Sequence, residues 1–309
     1  MDNVCHTLVG AAFGEAGLKR RTRFGSAVLM VAANLPDVDV LVFATDTPSI
    51  SFRRGWTHGI AAQLLLPLVL TVTFWLAGRL RPGRDGTPPV HAGWLLALSY
   101  AGVYSHVFLD YLNNYGIRLL TPFDWRWFYG DAVFIVDPRL WLVLGFGVWL
   151  ARRRQRPGPS RVALVIATVY IAAMLVSART GLGIVEQRWK DAHGVPARAI
   201  MVGPQLLSPL RRDIIIDAGS HYEAGRLTFP SSVVLWPEQM PKNDDRPDVA
   251  TARAAPNVAA FLVWSRFPYW TFERVEGGTR VTVRDARFIE GGGIFSASTV
   301  VAAEATKTD

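Results

Sequence analysis

The chain has 309 residues, half of them hydrophobic and 19% charged, with a formal net charge of +8 and a single cysteine. One cysteine excludes an internal disulfide framework and a cysteine-rich zinc site, so any metal must be held by histidine and carboxylate ligands. The basic residues are clustered, not spread over a soluble surface, so the positive excess points first to membrane orientation and only second to nucleic acid.

The first element, 3–18, is short and moderately apolar. Its start, "MDNVCHTLVG", lacks a basic n-region and a small-residue cleavage site and is expected to be retained. Lys19, Arg20, Arg21 and Arg23 follow as a basic cluster. Residues 25–45 are long enough to cross a bilayer but contain Pro36, Asp37 and Asp39, which predicts a helix broken at the proline. Residues 60–78, 92–112, 136–151 and 162–178 are apolar runs long enough, or nearly so, to cross about 30 Å of hydrocarbon. Arg79, Arg81 and Arg84 follow the first of these runs, and Arg152, Arg153, Arg154, Arg156 and Arg161 follow the third.

Six crossings place all three basic clusters on one side, which the positive-inside rule makes cytoplasmic, with Arg53 and Arg54 as the exception. That threading brings His6, Asp37, Asp39, His58, His106, Asp110, Asp131 and Asp137 to the outer ends of their segments or the outer loop. At 1.5 Å per residue, His6, Asp37 and His106 lie about 18–22 Å up their helices, at one common depth.

After residue 179 the pattern changes to short strands separated by Gly/Pro turns, which predicts a helical transmembrane domain over 1–179 and an extracytoplasmic α+β domain over 180–309. Gly277 and Gly278 mark a hairpin, "NVAAFLVWSRF" a short helix, and 237–256 a polar, proline-rich linker or exposed loop.

The candidate chemistry begins with "SHVFLDYLNNYG", in which His106 and Asp110 stand four residues apart and so share a helix face. Such a pair suits a zinc or manganese ion, and equally a buried hydrogen bond that packs two helices. "NLPDVD" adds Asp37 and Asp39, which a break at Pro36 can aim together; a surface turn has the same composition. "RGWTHG" places His58 beside Arg54 and Thr57 at a helix start, where a capping role is the bland alternative. The loop Thr121 to Pro138 supplies Asp124, Asp131, Asp137 and Arg126 among aromatic residues that also suit an interfacial belt. His91, His193 and His221 are assigned ordinary surface or core roles.

Three histidines and several carboxylates from separate helices match a two- or three-metal hydrolytic site. In it Arg53 or Arg54 would grip a phosphate oxygen, and Asp39 or Asp131 would take the proton of the attacking water.

The ordered set "HTLVG", "LPDVD", "RGWTH", "SHVFLDYLNNYG", "TPF" and "VDP" resembles the bacterial LexA-regulated, membrane-bound metal-dependent hydrolase family over residues 3 to about 140. That family is in turn similar in motif order to zinc-dependent phospholipase C and the P1-type nucleases. The resemblance implies a multi-pass protein of the bacterial inner membrane with a divalent cofactor, zinc or else manganese. It implies metal contacts from His6, Asp37, Asp39, His58, His106 and Asp110, with Asp131 and Asp137 as second candidates. A lipid or lipid-linked phosphoester at the outer face is the expected substrate, with nucleic acid a minor option. An ion-conducting protein, or a structural or sensory protein locked by a metal, would use the same residues differently.

Overall fold

The computed structural model describes residues 1–81, 83, 86–291 and 295–302, so Arg84 of the second basic cluster lies outside the described residues. The N-terminal part is helical: α1 (Asn3–Glu15), α2 (Gly25–Ala32), a 3-10 segment (Leu35–Ala44), α3 (Ser49–Phe52), α4 (Ile60–Leu80), α5 (Ala92–Tyr111), α6 (Pro138–Arg154) and α7 (Gly158–His193). The chain divides into two compact units, one holding Met1–Leu41, Arg53–Arg179 and Gly203–Pro209, the other the remainder.

In the first unit, Asp2 starts α1 by accepting hydrogen bonds from the Val4 and Cys5 amides at 3.0 and 3.1 Å. Apolar cores form between these helices. Ala12 of α1 meets Leu140 and Leu144 of α6 and Ala167 and Met174 of α7, while Val28 and Leu29 of α2 meet Leu70 of α4 and Leu95 and Leu98 of α5.

Among the described residues, three helices are long and apolar enough to cross a membrane: α4, α5 and α7. The pair Gly25–Ala32 and Leu35–Ala44, bent by 51°, makes a fourth if it is one span. The expected six crossings are thus corrected to three or four. The 13 residues of α1 reach only about 20 Å, and the 17 of α6 about 26 Å with arginines filling the last turn. The break expected at Pro36 is present as the turn between α2 and the 3-10 segment.

The second unit carries two antiparallel sheets. The first has the order β1 (Ala199–Gln205), β2 (Ser208–Asp217), β3 (His221–Thr228), β4 (Ser232–Pro241). Alternation along β2 is plain: Ile214 and Ile216 pack with Val185 and Trp189 of α7, while Ile215 joins Tyr222 and Phe267 in a separate core. The second sheet is the meander β5 (Pro268–Val275), β6 (Gly278–Asp285), β7 (Ser296–Ala302), with the hairpin closing at Val275 and Gly278 as expected. The predicted short helix is α9 (Pro256–Trp264).

Residues 237–256 are not the expected linker. They continue β4 to Pro241 and form α8 (Pro247–Ala252), which buries Val249 and Ala252. Pro237 and Pro241 are tolerated because β4 is an edge strand, where a missing backbone donor costs the sheet nothing.

Candidate metal centre

Two glycines set the spacing of the helices that carry the histidines. A Cβ on Gly10 of α1 would stand 2.7 Å from the Leu29 carbonyl oxygen of α2, and one on Gly102 of α5 would stand 2.4 Å from the Ala32 Cβ. Gly10 lies one turn after His6 and Gly102 one turn before His106, so both contacts are made beside an imidazole. The consequence is a stacked pair, His6 on His106, with ring centroids 3.9 Å apart. Gly102→Ala is therefore expected to destabilise the protein by about 1–3 kcal/mol and to weaken metal retention, measured by thermal melting and elemental analysis.

Asp110 follows His106 by one turn of α5, as their spacing predicts. His58 comes from the turn before α4, and Asp37 from the 3-10 segment. Ligand atoms of Asp37, His58, His106 and Asp110 all lie within 4.8 Å of one another, and all four residues are buried. His58 Nε2 is 3.1 Å from His106 Nε2 and 3.4 Å from Asp110 Oδ2; His106 Nε2 is 3.6 Å from Asp110 Oδ2 and 3.9 Å from Asp37 Oδ1. His6 adds Nε2 at 3.3 Å from Asp110 Oδ1, and the Met1 amino group also lies against that oxygen.

Hydrogen bonds around the cluster fix what the two central imidazoles present to it. His106 Nδ1 donates to the Ala33 carbonyl at 2.8 Å, leaving its Nε2 with a bare lone pair. The Thr57 hydroxyl gives its one proton to Asp39 Oδ2 at 3.1 Å, so it accepts from His58 Nδ1 at 2.9 Å, and His58 Nε2 is bare as well. With both rings neutral, two lone pairs thus face each other at 3.1 Å beside two carboxylates, an arrangement that repels unless a shared proton or a metal ion lies between. Two imidazole nitrogens bound tetrahedrally to one zinc ion stand about 3.3 Å apart, so the donor set fits such an ion. Both His6 nitrogens are buried and make no hydrogen bond of good geometry among the described residues, with Nε2 facing Asp110 Oδ1, and Asp110 Oδ2 is engaged only by the ion pair with Arg54 Nε at 3.0 Å, so both residues keep lone pairs for the same purpose.

The remaining expected site residues have other positions. Asp39 is saturated by the Arg54 amide at 2.8 Å, the Thr57 hydroxyl and Arg53 Nε at 3.3 Å, so it orients His58 through Thr57. Arg54 spends its guanidinium on Asp110 at 3.0 Å and on Asn113 at 3.0 Å, from a left-handed backbone with φ of 55°. Arg53, more exposed, reaches Asp37 at 3.5 Å. Asp137 lies apart from the four: it caps α6 by accepting from Arg139 and Leu140 amides and takes the Tyr170 hydroxyl at 2.7 Å. Asp131, in the loop beside Gly130, is also outside the group of four, and Asp124 pairs with Arg126 in a turn.

Residues 1–181 match the family described as YdjM inner membrane protein. The chain belongs to this family. Membrane association is therefore carried by the family as well as by the candidate spans. The whole cluster lies within the YdjM segment, since Asp110 is its last member. Over 301 residues the chain is 23% identical to "Uncharacterized protein YfhP" of Bacillus subtilis (strain 168), covering 93% of this chain and 87% of that protein. The relative thus extends past the YdjM segment into the sheets. No solved structure matches the chain, and neither comparison carries the wider likeness to phospholipase C and P1-type nucleases.

Several supporting residues escaped the sequence. The Ala33 carbonyl has no side-chain signature at all. Asn113 stood in the quoted "NNYG" without a role, and the structure gives it one as acceptor for Arg54 Nη1 and the Tyr115 amide.

Proposed function

We propose that this protein is a metal-dependent hydrolase of the bacterial inner membrane, acting on a phosphoester carried by a lipid or lipid-linked molecule. The observation that carries the proposal is the pair of bare imidazole nitrogens at 3.1 Å, flanked by Asp37 and Asp110. A divalent cation held by Asp37, His58, His106 and Asp110 would supply the positive charge that makes water nucleophilic near neutral pH and steadies a phosphoryl oxygen. Zinc fits the nitrogen donors, with manganese second, and His6 is placed to serve the same ion or a neighbouring one. Arg54 holds Asp110 in place, Thr57 and Asp39 hold His58, and Arg53 brings a cation to the edge of Asp37.

The choice of a lipid-linked substrate is supported by a groove of about 450 Å³ that opens at Asp37. Asn3, Thr7 and Asn34 give it a polar end, while Met30, Val31 and Val38 line it with apolar surface from the bent span. A headgroup would sit at Asp37 with its hydrocarbon along those side chains. Lys19, Arg20, Arg21 and Arg23 precede that span and Arg79 and Arg81 close α4, so the positive-inside rule places the cluster toward the outer face.

Detergent-purified protein loaded with zinc or manganese is expected to release phosphate or a phosphorylated headgroup from a panel of lipid phosphoesters, and to stop on chelation. Metal retained without turnover on any of them would overturn the proposal. It would favour a structural ion, a role that the full burial of His58, His106 and Asp110 also suits.

A further inference from the structure

Beside the metal cluster, the segment Asn113–Thr121 holds buried donors that lack acceptors. Arg118 is only 4% exposed, and its Nε and Nη2 have no hydrogen-bond partner and no ion pair among the described residues. Thr121 Oγ1 and Asn113 Nδ2 are buried and unpartnered in the same way. A buried guanidinium without a counter-charge is costly, and orphaned polar atoms of this kind mark a place that an ion or ligand completes.

The surroundings hold the guanidinium without satisfying it. Its carbon lies 4.5 Å from the Trp127 ring centroid and 5.5 Å from that of Trp125. Aromatic faces offset part of the charge but accept none of the in-plane N–H bonds, so the edge of the fork is left to bond an oxyanion.

Backbone contacts tie this segment to the metal cluster. The Arg118 amide donates to the Arg54 carbonyl at 3.0 Å, and Arg54 in turn holds Asp110 and Asp39. The Thr121 carbonyl accepts from the Ile60 amide at 3.0 Å, and a Cβ on Gly59, next to His58, would stand 2.4 Å from that carbonyl oxygen. Asn113 Oδ1 accepts from Arg54 Nη1, which leaves its amide nitrogen facing elsewhere.

We propose that Arg118, with Thr121 and Asn113, forms an anion-binding subsite for a phosphate-like group next to the metal centre. It rests on the hydrolase proposal above and deepens it: the substrate carries an oxyanion that Arg118 grips while the metal cluster faces the reacting bond. The group is either a lipid headgroup phosphate or a free phosphate.

The test uses the full chain, metal-loaded, with isothermal titration calorimetry as readout. Inorganic phosphate and pyrophosphate are titrated in detergent, and phosphatidic acid is compared with phosphatidylcholine in lipid nanodiscs. The expected result is saturable binding with a dissociation constant of about 1 mM or tighter. Binding should weaken about tenfold or more in Arg118→Gln, recover partly in Arg118→Lys, and weaken less in Thr121→Val, with metal content unchanged in all three. Phosphatidic acid that competes with pyrophosphate identifies the headgroup as the source, and soluble phosphate bound without that competition identifies the free ion. No saturable heat of binding, or equal binding by wild type and Arg118→Gln, overturns the subsite. Loss of metal from the wild type would instead strike the hydrolase proposal.

Discussion

His106→Ala should purify with essentially no bound divalent metal, against about one equivalent or more in the wild type. The imidazole supplies one of four inward-facing donors, and its Nδ1 bond to the Ala33 carbonyl is what aims Nε2 at the others. Structural zinc sites carry roughly 10–16 kcal/mol, so losing one ligand in four removes about 3 kcal/mol or more. That is about a hundredfold or more in affinity, enough to lose the ion during purification. The substitution also leaves His6 without the ring it stacks on. His193→Ala is the matched control: His193 also stacks on an aromatic ring, that of Trp189, but belongs to the other compact unit, and it should keep its metal. Metal retained in full by His106→Ala would remove the four-residue site from consideration.

The second large effect is expected from two adjacent arginines with opposite outcomes. Arg54→Gln should cost the metal-free protein about 3–5 kcal/mol, because it leaves the Asp110 carboxylate buried without its guanidinium. Arg53→Gln should change stability by about 1 kcal/mol or less, since Arg53 is partly exposed and its contacts with Asp37 and Asp39 are long. A cation in the site replaces part of the charge that Arg54 provided. Zinc or manganese at about a thousandfold above its dissociation constant should therefore restore up to roughly 4 kcal/mol to Arg54→Gln. Thermal melts of both variants with and without metal check this, and equal sensitivity of the two positions would contradict the assigned geometry.

Much of the centre was legible in the sequence because ionisable residues are conspicuous in apolar runs. His106 and Asp110 share a helix face by spacing alone, and Asp37 and His58 stood out against the apolar segments beside them. The span count was less legible. Hydropathy registers how apolar a segment is but not whether protein or lipid covers it, and α1 owes its apolar character to packing against α2 and α6. Asp137 illustrates a competing local rule. In "VDPRL" the aspartate precedes a proline at the first helical position, which is a helix-start signature, and the structure uses it that way. The second layer was hidden altogether, because the Ala33 carbonyl, Gly10 and Gly102 act through three-dimensional approach that no one-dimensional pattern records.

The ligands come from three separate places: a 3-10 segment, a turn, and the last two turns of α5. The longest single stretch of the nascent chain, α5, carries only His106 and Asp110, so a half-inserted precursor offers two of the four donors and the full set exists only once the 3-10 segment and the turn before α4 have docked. On the proposed function, then, a tightly held ion is expected to enter after the helices have assembled, from whichever compartment the groove at Asp37 faces.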